Sequence, residues 1–193
     1  MGADLVHQFR SLDTLTSFVY SYPVDILNDC QSVICQLTSK DKTQAILEVI
    51  DSCSVFTSLP DLERFKRGVL RREHIQSTGI GHGVAIAHGK ILGINEVHIA
   101  LGISKEGIEY GSSDGMPVHL LFVIASSPSI QMEYLGALSS ILRGVRTEQM
   151  REHLLNLHQS KSDETCRRFL SMMANQEFVW FCQRPSLEEG SPT

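Results

Sequence analysis

No stretch of this 193-residue chain stays apolar over the roughly 20 residues that a membrane-spanning helix requires, so no membrane insertion is expected. Paired cysteines are missing as well. The five present (Cys30, Cys35, Cys53, Cys166 and Cys182) are odd in number and contain no C-x-x-C, a poor basis for a disulfide framework or a zinc site. Reduced thiols in a cytoplasmic protein are the simpler expectation. Positive charge is not in excess either: 17 Lys and Arg face 22 Asp and Glu, a net −5. That balance excludes a general nucleic-acid or anionic-membrane binder, whose partners demand clustered cations, and leaves room only for a local basic patch. The opening residues "MGADLVHQFR" lack a basic segment followed by an apolar run, so no signal peptide is expected. Val6 stands where a myristoylation signal needs Ser or Thr.

What is present fits one globular domain. Hydrophobic residues make up 42% and charged residues 20%, near the averages of folded domains, which argues against disorder along the whole chain. A weakly periodic extension over 1–22 precedes a domain over 23–176, and a tail over 177–193 carries the short apolar segment "EFVWFC". Within the domain, 31–37 reads as a short strand. Ala45, Ile46, Val49, Ile50 and Cys53 then share one helical face, with Ser39 available as a cap. A second helix begins near Pro60, packs through Leu62, Phe65, Val69 and Leu70, and ends in Arg71, Arg72 and Glu73. Three apolar strands follow over 83–88, 97–104 and 118–126, with polar turn or edge material over 106–117. Next come a helix carrying Met132, Leu135, Leu138 and Leu142, and one starting at Thr147 with Met150, Leu154 and Leu157. A third, capped by Ser160, carries Cys166, Phe169, Leu170 and Met173. The order predicts an α/β sandwich with a mixed sheet flanked by helices.

The chemistry concentrates in "STGIGHGVAIAHGK", residues 77–90. Its glycines alternate at 79, 81 and 83 and lead into a strand, whereas a dinucleotide fingerprint follows a strand and opens a helix. A P-loop is excluded because Gly83 lies one residue too far from Gly89 and Ile91 replaces Ser or Thr. His82 and His88 are about 20 Å apart on an extended segment and cannot share a metal ion. No metal and no cofactor are expected. His88 differs from the other histidines because Gly89 follows it at once, removing side-chain bulk and leaving a backbone N–H for an anion. Arg72 presents a planar fork suited to phosphoryl oxygens. A phosphoacceptor imidazole fits this set, and so does an Arg–Glu surface pair beside a turn histidine; the residues leave both open.

"VLRREHIQSTGIGHGVAIAHGK" and "SSDGMPVHLLFVIASSP" resemble the fructose/mannitol/nitrogen-type (type 2) enzyme IIA domains of the bacterial phosphoenolpyruvate-dependent phosphotransferase system, over roughly residues 24–174. The wording is most similar to the nitrogen-regulatory branch. The resemblance implies the phosphotransferase/anion-transport type of fold, with His88 as a phosphohistidine on its Nε2 and Arg72 as the supporting arginine. It implies an HPr-like phosphocarrier as donor, and either a regulatory target or a IIB domain of a sugar transporter downstream. Two positions depart from the pattern. Ala87 replaces the usual proline before the histidine, freeing φ and adding an N–H donor. Gln131 stands where gap-free alignment expects a second histidine; its amide can donate but carries no positive charge. A binding module with weak or lost phosphorylation is therefore an alternative outcome.

Overall fold

The structure, a computed structural model, describes residues 33–157. The extension over 1–22, the helix expected over 160–173 and the apolar segment over 177–182 lie outside the described residues. Five strands form one mixed sheet in the order β1-β4-β5-β3-β2. These are β1 (Ile34–Gln36), β2 (Gly79–Gly81), β3 (Val84–Lys90), β4 (His98–Ile108) and β5 (Val118–Ser126). β1 runs parallel to β4 and β3 parallel to β5, while β4–β5 and β2–β3 are antiparallel. Helices α1 (Lys42–Ser52) and α2 (Leu62–Ile75) cover one face, and α3 (Gln131–Gly144) and α4 (Glu148–Asn156) cover the other. This is the expected sandwich.

β3 and β5 are apolar on both sides because both faces of the sheet are roofed. Ala85, Ala87, Leu121, Val123 and Ala125 join the core under α1 and α2, while Val84, Ile86, Leu120, Phe122 and Ile124 join the core under α3 and α4. Helices α1, α2 and α4 start where short polar side chains satisfy free N–H groups. Asp61 accepts from the Arg64 N–H at 2.8 Å, just after Pro60, and Thr147 caps α4 as expected by accepting from the Met150 N–H at 3.3 Å.

Several expectations need correction. The cap of α1 is Asp41, which accepts from the Gln44 N–H at 3.0 Å; the Ser39 N–H instead donates to Glu48. β4 runs on to Ile108 into the segment expected as turn material, and its register shifts between Ile103 and Ile108. On α3 the apolar stripe expected to face the core is largely outside: Met132, Leu135 and Leu142 are exposed and only Leu138 packs inward. Tyr134, Ala137 and Ile141 face the sheet, at spacings of three and four that form one helical stripe. The longer side chains were the more visible pattern, but small residues at 137, 140 and 144 let this helix lie close.

Candidate functional site

Alternation along β3 sorts its residues. Ala87 and Gly89 point toward α2, and Ile86, His88 and Lys90 point toward α3. His88 therefore emerges half-buried on the α3 side, two residues before the strand's end. Its Nδ1 lies 3.1 Å from the Ile86 carbonyl. A carbonyl oxygen only accepts, so Nδ1 carries the proton and Nε2 keeps its lone pair. The ring of Tyr134, one turn into α3, packs against the imidazole with centroids 5.9 Å apart and planes inclined at 47°. Burial pushes the Tyr134 phenol above its ordinary value while the nearby Arg72 charge opposes the shift, so Arg72 acts on the same spot from α2. The Arg72 Nη1 donates to the Gln76 carbonyl at 2.8 Å, which holds the guanidinium at the helix end. Tyr134 thus lies within range of both His88 and Arg72.

Behind the site lies a buried polar network. Glu73, with only 4% of its surface exposed, accepts from both the Thr78 N–H at 3.0 Å and the Thr78 hydroxyl. Thr78 Oγ1 also meets the Tyr110 hydroxyl at 3.2 Å, and Lys42 Nζ lies 3.5 Å from Glu73. Burial and the Glu73 charge push the Tyr110 phenol far upward, so it stays protonated. The Thr78 carbonyl accepts from the Ile86 N–H at 3.2 Å, and the Ile86 carbonyl in turn holds His88. A continuous chain of contacts therefore ties the residue next to Arg72 to the imidazole.

The glycine loop is a hairpin tip. Gly81, His82 and Gly83 all have positive φ, and the His82 N–H donates to Asp114 at 2.7 Å. That N–H, with the Met116 N–H, holds the Asp114 carboxyl below the usual carboxylate range. His82 itself is an exposed tip residue.

Gly89 has a different role from the anion approach read from its position. A Cβ there would come within 2.7 Å of Val69 Cγ2 and 3.0 Å of the Phe65 ring, so glycine is required for α2 to close on the strand. The Ile86 N–H points to β2 and the Ile91 N–H to Ser126 on β5, so by alternation Gly89 donates toward β5. The outward N–H groups at this end belong to His88 and Lys90. The same alternation turns the Ala87 N–H into the ladder, where it pairs with β5 beside Val123. The residue replacing proline therefore continues the strand instead of loosening it. Gln131 is the first residue of α3, and its Oε1 accepts from Lys90 Nζ at 3.2 Å. The side chain against the His88 ring is Tyr134, not Gln131.

Lys90, Tyr134 and the Glu73–Thr78–Tyr110 network were absent from the expected site. Lys90 was legible as the residue two beyond His88 on the same strand face. Tyr134 becomes legible once the stripe through Ala137 and Ile141 is taken as the inner face of α3. Among the described residues no cluster of three His, Cys, Asp or Glu side chains forms a metal set, and no helix is long and apolar enough to cross a membrane.

Residues 26–171 match the sequence profile of the family described as phosphoenolpyruvate-dependent sugar phosphotransferase system, EIIA 2. The chain is 38% identical over 119 residues to the fructose-specific EIIABC component of Bacillus subtilis, covering 62% of this chain but only 19% of that protein. It is 27% identical over 132 residues to a nitrogen regulatory protein of Bradyrhizobium diazoefficiens, covering 68% of this chain and 86% of the relative. The crystal structure of nitrogen regulatory protein IIA-Ntr from Neisseria meningitidis superposes with a TM-score of 0.64 at 24% identity, over 76% of this chain and 98% of that one, a likeness of fold. Relatives thus fall in both the sugar-specific and the nitrogen-regulatory branches. With its mixed sheet, its Arg72–Glu73 helix end and a histidine of fixed tautomer on β3, the chain belongs to the EIIA type 2 family of the phosphoenolpyruvate-dependent phosphotransferase system.

Proposed function

We propose that this protein is a phosphohistidine carrier that takes a phosphoryl group from an HPr-like phosphocarrier onto His88 Nε2 and acts in regulation. The observation that carries this reading is the Nδ1–H bond to the Ile86 carbonyl, which leaves Nε2 as the unprotonated nucleophile. In the transfer, the Nε2 lone pair forms a bond to phosphorus as the donor's N–P bond breaks, and the donor ring keeps that electron pair. The proton stays on Nδ1, where the Ile86 carbonyl offsets the positive charge gained by the ring. Arg72 serves the phosphoryl oxygens. The outward backbone N–H groups of His88 and Lys90 take the part first assigned to Gly89.

A second reading, transfer onward to a IIB domain in sugar transport, is favoured by the higher identity to the fructose-specific relative. The two differ in the acceptor and share the His88 step. Incubation with phosphoenolpyruvate, enzyme I and HPr should give acid-labile, base-stable phosphate on the wild-type protein and none on His88→Ala. Arg72→Ala should slow labelling by roughly a hundredfold with the fold intact. Label that persists in His88→Ala overturns the reading.

A further inference from the structure

We propose that the Tyr134 hydroxyl is a catalytic hydrogen-bond donor to the phosphoryl group on His88, filling the place that the sequence assigned to Gln131. The inference rests on the phosphohistidine reading of His88. Tyr134 projects from the first turn of α3 onto the imidazole, with the ring centroids 5.9 Å apart. It is 8% exposed, so its ring is fixed by the surrounding core of Ile86, Ile124 and Ile141. Its hydroxyl makes no hydrogen bond to another described residue. A half-sequestered hydroxyl without a partner has donor capacity available for a ligand oxygen.

Charge supports the same assignment. Burial holds the phenol protonated, so it is present as a donor and not as a repelling phenolate. The Arg72 charge acts on the same hydroxyl, so both groups are available to an anion on His88. Gln131 is engaged elsewhere, with its Oε1 accepting from Lys90 at 3.2 Å. During transfer the hydroxyl donates without losing its proton. It compensates charge on a phosphoryl oxygen while the N–P bond to the donor breaks and the bond to Nε2 forms.

Single-turnover transfer from phosphorylated HPr, and from phosphoramidate as a small donor, tests this on the full chain. Tyr134→Phe keeps the ring against His88 and removes only the donor. Its rate constant should fall about tenfold to a hundredfold with both donors, while the donor concentration at half-saturation stays within about twofold and the melting temperature is unchanged. Tyr134→His, which restores a donor, should recover most of the rate. Wild-type rates in Tyr134→Phe, alongside an inert His88→Ala, overturn the Tyr134 assignment and leave the carrier reading standing. A slow Tyr134→Phe that Tyr134→His fails to rescue also overturns it, because restoring a donor at this position would then not restore the rate. A wild-type protein that takes no phosphate from either donor removes both.

Discussion

The two faces of strand β3 follow different rules. Toward α2 the strand presents Ala85, Ala87 and Gly89, residues so small that the helix comes to rest almost on the backbone. Toward α3 it presents Val84 and Ile86 in the core and then His88 and Lys90 at the rim. One face fixes where the strand lies, and the other carries His88, the proposed nucleophile. The contrast explains why a glycine beside His88 need not take part in the proposed reaction. Gly89 serves the helix behind it, and its missing side chain indirectly sets the position of the ring in front.

That division can be broken from either side. The largest effect on stability is expected for Gly89→Val, whose added methyl groups meet Val69 and Phe65. Overpacking should cost about 2–3 kcal/mol by denaturant unfolding, while His88→Ala on the opposite face should change stability by less than about 1 kcal/mol. Equal effects of the two would remove the distinction. Glu73→Ala comes next. It leaves the Thr78 N–H and hydroxyl without their buried acceptor and should cost about 1–2 kcal/mol. Hydrogen exchange at the Thr78 and Ile86 amides should rise together in this variant; protection unchanged at Ile86 would mean that the network does not reach the strand. Gln131→Ala should do least. It loses one exposed contact with Lys90, shifting stability by no more than about 0.5 kcal/mol and labelling by less than about threefold. A loss comparable to that of Arg72→Ala would return the donor role to Gln131.

Much of this was legible in the residues because it depends on local periodicity. The runs over 84–90 and 118–126 read as buried strands, and Thr147 as a helix cap, since each signal lies within a few positions. His88 and Arg72 stood out through motif and chemistry. What stayed hidden depends on contacts between distant segments. Ser39 and Asp41 are both competent caps, and only the approach of Glu48 to Thr38 and Ser39 decides between them. The inner face of α3 was misread because Met132, Leu135 and Leu142 form the more hydrophobic stripe, yet the sheet takes the stripe holding Tyr134. Gln131 was singled out by gap-free alignment, whereas the ring that packs against His88 belongs to Tyr134. Alignment by spacing could not reveal that Lys90 occupies Gln131.

In the proposed transfer, a local hydrogen bond from Nδ1 to the Ile86 carbonyl selects which nitrogen of His88 reacts. Phosphorus and nitrogen NMR of the ¹⁵N-labelled protein after treatment with phosphoenolpyruvate, enzyme I and HPr reads this directly. One phosphohistidine signal is expected, coupled to Nε2 of His88, with Nδ1 protonated in the unphosphorylated protein. Phosphate on Nδ1, or a His88 ring that carries its proton on Nε2 before reaction, would contradict it.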